Sequence, residues 1–381
     1  MEAGGLYIHV PYCRNKCLYC DFYTGGSRIA KWHSFVSSIL EELWHRHNEI
    51  DINYKTLYIG GGTPSLLPIG EFEKLIEGIH HVIGNIEWEE FTIEVNPEDV
   101  SAEKIEIWRK SGVNRISIGV QTLNDAELKN IGRGHDSQMA IEATRLLIEK
   151  FRNISVDVMF GLPGQTLESY EKSLKSIIEL QPTHISSYSL MLESGTAMTL
   201  LAREKRITLP SEEDWIAMYE TTLFLLREAG YERYEISNFA RQGFESIHNK
   251  SYWEGKPYLG LGPAAHSYDG NRIRRNNPMN IKGYLQFYGK NIATSKGQLF
   301  YKEEILTEQE LREEMLMTRL RTIPGLNLKG FSERFGDTQK EILLQKAKQF
   351  ILPGLMKENN GNLSITEKGF LVSDSIISSL I

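Results

Sequence analysis

The sequence predicts an α/β protein, a TIM-like partial barrel of six strand–helix units followed by a smaller winged-helix-like α+β module. Three observations carry this prediction. Six short runs are rich in β-branched and aromatic residues, amphipathic segments of helical length separate them, and the pattern changes after about residue 231. Alternation of strand and helix is typical of a parallel sheet covered by helices. In such barrels the loops after the carboxyl ends of the strands carry the chemistry.

The predicted barrel elements alternate along the chain up to residue 190. The strands are expected at 6–10, 56–59, 91–95, 115–120, 154–160 and 184–190. The helices are expected at 29–47, 69–82, 102–111, 137–150 and 167–180. We therefore assign residues 1–232 to the barrel.

The remaining chain changes character twice. Residues 233–300 are rich in Gly, Asn and aromatic residues and are predicted to be strands and loops that connect the two units. Residues 301–381 are predicted to form the winged-helix-like module. We expect its helices at 308–320, 328–335 and 342–354, then a strand at 363–366 and a terminal helix.

Composition limits the class of function. A hydrophobic content of 41% with 24% charged residues is ordinary for a globular enzyme, and the net charge of −7 disfavours nucleic acid as a partner. No apolar stretch is long enough to span a bilayer. Removal of a targeting peptide of about fifteen to thirty residues would delete a cysteine cluster that begins at position 13. Reduced thiols then favour a cytoplasmic location.

Cys13, Cys17 and Cys20 are the only cysteines in the chain and lie within eight residues. An odd number cannot pair completely in disulfides, and this spacing lets three thiolates converge on one metal centre. A tetrahedral zinc ion or a 4Fe-4S cluster wants four ligands, so one position is left for another group. On the loop alone, zinc with His9 as fourth ligand, an iron–sulfur cluster and inert thiols all stay open.

Glycines and polar residues follow the predicted strands. The run Gly60 to Pro64 comes directly after the second strand. Further polar side chains are Glu94 and Asn96 after the third strand, Gln121 after the fourth, Asp157 on the fifth and Tyr188 after the sixth. Because the carboxyl ends of parallel strands meet at one rim, we expect these residues to lie near the cysteines. Each of them alone could equally be a cap or a turn residue.

The Cys-x3-Cys-x2-Cys loop followed by Gly-Gly-Thr-Pro resembles the radical S-adenosylmethionine superfamily. In that superfamily the open iron is chelated by the amino and carboxylate groups of S-adenosylmethionine, which the reduced cluster cleaves to methionine and a 5′-deoxyadenosyl radical. The resemblance implies a 4Fe-4S cluster on the three cysteines. Blocks at 7–13, 94–97, 115–121 and 157–166 are similar to the oxygen-independent coproporphyrinogen dehydrogenases and their relatives.

That resemblance also implies the residues that contact S-adenosylmethionine. They are Tyr7, Tyr19, Gly61, Gly62, Thr63, Glu94, Gln121, Arg133 and Asp157. The residue types suit the ligand, since Asp157 can accept from ribose hydroxyls, Glu94 from the ammonium group or a hydroxyl, and Arg133 can pair with the carboxylate.

Two departures separate the chain from the coproporphyrinogen dehydrogenases. Phe22 stands where those enzymes carry a further cysteine, and only twelve residues precede the cysteine loop. The motif His248-Asn249-x-x-Tyr252-Trp253 instead resembles the heme-chaperone branch, which hands heme to respiratory proteins. This implies heme as a third ligand, with His248 on the iron and Tyr252 and Trp253 packed on the macrocycle. His135 and His266 are secondary candidates.

The predicted function is therefore that of a heme chaperone whose partners are heme and apo-hemoproteins. The resemblance allows membrane-bound recipients, peripheral membrane contact and a homodimer. A coproporphyrinogen dehydrogenase, which converts propionates to vinyl groups, is the alternative, and a structural zinc protein is a second one. Without the resemblance, His248 could be a loop residue bonded to the backbone and Trp253 an anchor between units.

Overall fold

The structure, a computed structural model, describes residues 1–26, 30–289 and 300–381. Its strands are β1 (Glu2–Val10), β2 (Tyr12–Cys13), β3 (Gly25–Gly26), β4 (Ile52–Gly61), β5 (Glu90–Val95), β6 (Arg115–Gln121), β7 (Asn153–Phe160), β8 (His184–Ser189), β9 (Glu232–Arg233), β10 (Asn238–Ala240), β11 (Tyr258–Leu261), β12 (His266–Tyr268), β13 (Ile273–Asn276), β14 (Lys302–Ile305), β15 (Leu326–Asn327), β16 (Met356–Asn359) and β17 (Asn362–Ile365). Its helices are α1 (Trp32–Arg46), α2 (Ile69–Ile83), α3 (Ala102–Lys110), α4 (Asp125–Asn130), α5 (Ser137–Lys150), α6 (Leu167–Glu179), α7 (Ala197–Arg203), α8 (Glu212–Glu228), α9 (Ile247–Trp253), α10 (Ile281–Tyr288), α11 (Glu308–Arg319), α12 (Leu328–Phe335), α13 (Asp337–Ile351), α14 (Glu367–Phe370) and α15 (Ser373–Leu380).

One large sheet organises the first unit. Within the described ranges its strand order is β14-β13-β12-β11-β1-β4-β5-β6-β7-β8-β10-β9. Seven neighbouring strands of this order run parallel to one another: β11, β1, β4, β5, β6, β7 and β8. Six of these parallel strands and the helices α1, α2, α3, α5 and α6 lie where the sequence predicts them, so the α/β barrel fold is confirmed. The predicted start of the first helix at Ile29 lies outside the described residues.

Burial on both faces explains why the parallel strands are so apolar. Every residue of β6 is buried, and β5 is nearly as enclosed. Parallel sheets are covered on both sides, so their strands read as continuous apolar runs. The buried core includes Ile8, Ile59 and Ile118, all without solvent exposure. A polar residue within such a strand therefore indicates a place where the barrel interior does more than pack apolar side chains.

The stretch that follows β8 extends the same sheet. Strand β11 pairs in parallel with β1, with Leu6 opposite Leu259 and Ile8 opposite Leu261, and β12, β13 and β14 continue the sheet beyond it. Residues 290–299 of this stretch lie outside the described residues.

The His-Asn-x-x-Tyr-Trp motif forms the short helix α9, where the sequence predicts extended strands and loops. Two caps explain the helix. The Ser246 hydroxyl accepts from the Asn249 N–H at 3.2 Å, and the buried Glu90 carboxylate accepts from the Ser246 hydroxyl and from the N–H groups of Ile247 and His248 at 2.8–3.1 Å. A carboxylate at a helix N-terminus satisfies free donors and complements the helix dipole.

The C-terminal module combines helices α11 to α15 with a three-stranded sheet, β15-β17-β16. It has its own apolar core, which includes Phe331, Leu343 and Leu363. Helix α13 begins at Asp337, five residues before its predicted start, because Gly336 with φ of +89° ends α12 and lets the chain turn directly into the next helix. No helix in the described part of the chain is both long and apolar enough to cross a membrane.

Candidate cofactor-binding site

A cavity of about 440 Å³, called here the rim cavity, opens at the carboxyl ends of β4 to β8. Eight of the nine residues predicted to bind S-adenosylmethionine line it: Tyr19, Gly61, Gly62, Thr63, Glu94, Gln121, Arg133 and Asp157. The cysteine loop forms one side. The Thr63 hydroxyl donates to Cys13 Sγ at 3.4 Å, and Arg133 Nη1 lies 3.5 Å from Cys17 Sγ. The structure thus brings together residues that are far apart in sequence.

Tyr7 is the exception among the predicted residues. Its hydroxyl lies 3.2 Å from His9 Nδ1, and its ring faces a second cavity on the other side of the cysteine loop. His9 Nε2 in turn lies 3.1 Å from the carbonyl oxygen of Tyr23. Both nitrogens of the buried His9 ring are therefore engaged, and His9 is not placed to be the fourth ligand of a zinc ion.

The glycine loop after β4 is shaped by close backbone contacts. Gly61 has φ of +113°, and a Cβ there would lie 2.6 Å from His9 Nδ1. A Cβ on Gly62 would lie 2.7 Å from the Tyr12 carbonyl oxygen and 3.0 Å from Cys13 Sγ. Glycine is required at both positions because a side chain would push the loop away from the cysteines.

Two buried carboxylates face the rim cavity. Glu94 accepts from the Tyr58 hydroxyl at 2.8 Å and from the Gly61 N–H at 3.0 Å, while Asp157 accepts from the Ser117 hydroxyl at 3.1 Å. Burial raises the pKa of Glu94 to about 7 and that of Asp157 to about 6. A cationic ligand in this cavity would compensate the charge that burial disfavours.

Arg133 and Gln121 also line the rim cavity and are held in fixed positions. Arg133 Nη2 donates to the Gly119 carbonyl oxygen at 2.6 Å and to Asn96 Oδ1 at 2.9 Å. Burial opposes the charge of Arg133, but nearby groups that include the Glu98 carboxylate raise its pKa, so it stays cationic.

Gln121 carries local backbone strain. It adopts φ of +69° at an irregularity in the pairing of β6 with β7, and its side-chain oxygen accepts from the Tyr188 hydroxyl at 2.9 Å. Strained non-glycine residues of this kind cluster at ligand sites, where the surroundings hold them in place.

The thiols suit a cluster whose ligands lie on different irons. Cys13, Cys17 and Cys20 are all partly exposed, and burial raises the pKa of Cys13 and takes that of Cys20 to about 11, so metal binding has to displace their protons. Within the described ranges, no three His, Cys, Asp or Glu side chains are arranged to hold a single metal ion. Three thiolates would each bind a different iron of a 4Fe-4S cluster, and such a cluster does not require that arrangement.

The second cavity, called here the hinge cavity, has a volume of about 570 Å³ and lies between the β11–β13 edge of the sheet and the C-terminal module. It shares Asp21 and Phe22 with the rim cavity. Its walls are rich in aromatic side chains: Tyr7, Phe22, Tyr23, Tyr252, Tyr258 and Tyr268. Helices α11 and α12 close its far side, so both units of the protein contribute to it.

The structure does not present His248 to either cavity. The side chain is 1% exposed, with Nδ1 at 2.7 Å from Thr56 Oγ1 and Nε2 at 2.8 Å from the Tyr252 hydroxyl. The His248 ring stacks on the Tyr58 ring with 5.0 Å between the ring centroids, and burial lowers the pKa of His248 to about 3. The expected place of His248 on heme iron therefore does not agree with this arrangement, because both ring nitrogens are engaged inside the core.

The other residues of the motif and the two secondary histidines lie in different places. Tyr252 lines the hinge cavity, whereas Trp253 lines a separate cavity of about 350 Å³. His135 is buried, with Nε2 at 3.2 Å from the Val120 carbonyl oxygen. His266 is exposed and lines the hinge cavity, and among the described residues its ring nitrogens have no hydrogen-bond partner. His266 is thus the accessible imidazole of that cavity.

Sequence reasoning placed Asn96 at the rim but missed the other two residues that support the predicted side chains of the rim cavity. Tyr58, Ser117 and Asn96 hold Glu94, Asp157 and Arg133 respectively. A signal for both missed residues was present, since Tyr58 and Ser117 each stand between two apolar neighbours within a strand. The hinge cavity had no comparable signal, because its walls come from separate parts of the chain.

Comparison with known proteins agrees with this geometry. Residues 7–177 match the family model "Radical SAM superfamily", and residues 306–372 match the "HemN C-terminal domain". The solved structure of coproporphyrinogen III oxidase (HemN) from Escherichia coli, described as a radical SAM enzyme, superposes with a TM-score of 0.84 at 23% identity, covering 100% of this chain and 90% of that one. The fold and the cysteine loop therefore define a radical SAM protein.

The curated relatives narrow the class. Heme chaperone HemW of Bacillus subtilis (strain 168) is 35% identical over 379 residues, 97% of each chain. The HemW proteins of Lactococcus lactis subsp. lactis and Escherichia coli K12 are 35% and 32% identical, each over 98% of this chain and 96% of their own. The chain belongs to the HemW family, and the predicted resemblance is confirmed.

Proposed function

We propose that the protein is a heme chaperone that carries a 4Fe-4S cluster on Cys13, Cys17 and Cys20 and transfers heme to apo-hemoproteins, including those of the respiratory chain. S-adenosylmethionine binds in the rim cavity and heme in the hinge cavity. The observation that carries the proposal is the pair of adjoining cavities that share Asp21 and Phe22. Their volumes, about 440 and 570 Å³, lie in the range of small-molecule and cofactor sites.

The rim cavity suits S-adenosylmethionine because it offers complementary charges on fixed side chains. Arg133 pairs with the ligand carboxylate, and Glu94 accepts from its ammonium group. Asp157 accepts from the ribose hydroxyls, with Ser117 fixing the carboxylate at 3.1 Å. When bound, the cluster and S-adenosylmethionine supply one-electron chemistry at this rim. The residues named here bind and orient the ligand.

The hinge cavity suits heme because its walls are aromatic and apolar on several sides. Met279 and Met315 add apolar surface, and His266 offers an unengaged imidazole for the iron. Tyr252 contributes its ring to the wall, and His248 holds the Tyr252 hydroxyl at 2.8 Å. In this proposal His248 supports the cavity, and His266 takes the axial position that the motif suggested for His248.

The reduced thiols fit a cytoplasmic location. Recipients held at a membrane would then be reached by peripheral contact.

Titration with hemin tests the heme site. The protein is expected to give a saturable shift of the Soret band, and His266→Ala is expected to change the ligation spectrum to that of a weaker or absent axial ligand. His33→Ala is the matched control, since His33 is another exposed histidine that lies outside both cavities. An unaltered spectrum in His266→Ala would remove His266 from the iron, and no binding by the parent protein would overturn the proposal.

Anaerobic reconstitution tests the cluster and S-adenosylmethionine. About four irons per chain are expected, with a clear loss in Cys13→Ser. Calorimetry should show S-adenosylmethionine binding that Asp157→Asn weakens without changing the iron content. Stoichiometric zinc in place of iron would contradict the assignment.

A further inference from the structure

The hinge cavity is lined by more cationic than acidic side chains. Four cationic and three acidic side chains line it. Lys256 pairs with Glu254 at 2.9 Å, and Arg274 makes a two-pronged contact with Glu314 at 2.6 and 2.8 Å. Among the described residues, the other two cations of this cavity, Arg319 and Arg334, form no salt bridge with a carboxylate.

Arg319 is the more informative of these two cations. It ends α11 with its guanidinium partly buried, and Nη2 donates to the Glu254 carbonyl oxygen at 2.7 Å. A guanidinium has five N–H donors, so most of its donor capacity remains for another acceptor. Burial lowers the pKa of Arg319, while the charge of the nearby Glu254 opposes that shift. A partly buried cation without a salt-bridge partner is stabilised when an anion completes the site.

Arg334 extends the same cationic wall from the neighbouring helix α12. It is exposed, and its Nη2 donates to the Asn271 carbonyl oxygen at 3.1 Å. Both arginines come from the C-terminal module, while the aromatic walls come from the barrel unit and from the connecting stretch 233–300. A ligand that bridges the two sides would therefore need an apolar, flat body and at least one acidic group.

We propose that the C-terminal module recognises the carboxylate groups of the ligand in the hinge cavity, with Arg319 as the principal carboxylate-binding residue and Arg334 assisting it. The inference rests on the proposed function and defines its ligand class: a flat macrocycle with free carboxylate substituents. Arginine suits this role because its planar donors match both oxygens of a carboxylate. The aromatic walls then contact the macrocycle, and the charge selects free acids over esters.

The test compares hemin with its dimethyl ester in the same cosolvent. The full-length protein is expected to bind hemin more tightly than the ester. Arg319→Gln should weaken hemin binding by about tenfold or more, as expected for loss of a charge-assisted hydrogen bond, and leave ester binding within about twofold. Arg334→Gln should show the same selectivity with a smaller effect. Arg312→Gln is the matched control, since Arg312 lies on the same helix but outside the cavity.

The ester separates recognition from structural support. Arg319 also holds the end of α9 through Glu254, so a purely structural role would weaken both ligands equally in Arg319→Gln. Equal loss for both ligands, or unchanged hemin affinity, would overturn the assignment while the parent protein still binds hemin. Failure of the parent protein to bind hemin at all would instead overturn the proposed function and this inference with it.

Discussion

Replacing His248 by alanine is expected to destabilise the protein while leaving the ligation of heme iron unchanged. The imidazole is fully enclosed, stacks on Tyr58 at 5.0 Å, and lies within hydrogen-bond distance of Thr56 and Tyr252. Its removal leaves two buried hydroxyls without their partner, at about 1 kcal/mol or more each, and a cavity beside the ring of Tyr58. Together these effects predict a loss of about 3 kcal/mol in the free energy of unfolding.

Urea unfolding followed by circular dichroism measures that loss, and hemin titration of the folded variant measures ligation. His266→Ala is the matched control, because its ring is exposed and its removal should change the unfolding free energy by no more than about 0.5 kcal/mol. The two variants should thus have opposite effects, with stability lost in one and the ligation spectrum altered in the other. If His248→Ala kept the parent stability and lost the axial-ligand spectrum, the reasoning would be refuted.

Three further predictions concern the rim cavity and the reaction. Burial raises the pKa of Glu94 from 4.5 to about 7, so ionisation of Glu94 lowers the stability of the ligand-free protein as the pH rises through this window. Glu94→Gln should unfold with a similar free energy to the parent at pH 4 and be more stable by about 3 kcal/mol at pH 8 in urea titrations, whereas a pH-independent difference would contradict this. Gly62→Ala should lose cluster iron on reconstitution because its Cβ would lie 2.7 Å from a backbone oxygen, while Gly70→Ala, where a Cβ meets no atom within 4 Å, should keep it. In an anaerobic assay with S-adenosylmethionine and coproporphyrinogen, the reconstituted protein should form no protoporphyrinogen, and robust product formation would favour the dehydrogenase function.

The barrel could be predicted from the sequence because its strands are buried on both faces and so carry a strong local pattern. Strand β6 shows this clearly, with all seven residues buried. The place of β11 could not be predicted, since its parallel pairing with β1 joins residues about 250 positions apart, and no local pattern specifies a partner. The helix α9 was missed for a similar reason, because the carboxylate that caps it comes from Glu90 on β5.

The candidate site likewise has a part that the sequence predicts and a part that it does not. Glu94 and Asp157 of the rim cavity lie on two of the predicted strands, so the positions of these strands are enough to place both residues near the cysteine loop. The hinge cavity combines the edge of the sheet with α11 and α12, and its cations Arg319 and Arg334 belong to no motif. Only the packing of the C-terminal module against the barrel brings these side chains to one surface.

The position of His248 lets a residue of the motif support the walls of two cavities without lining either of them. Its ring packs on Tyr58, whose hydroxyl donates to Glu94 in the rim cavity, and its Nε2 lies 2.8 Å from the hydroxyl of Tyr252 in the hinge cavity wall. A residue in this position packs on Tyr58, which supports the rim cavity, and bonds Tyr252, which lines the hinge cavity. A histidine also bonds Thr56, because each ring nitrogen takes a separate hydrogen-bond partner. Leucine would fill a similar volume but would leave Thr56 and Tyr252 unpaired. The chemical requirement at position 248 is therefore met by the hydrogen bonds within the core, and an iron ligand is not needed to explain a histidine there.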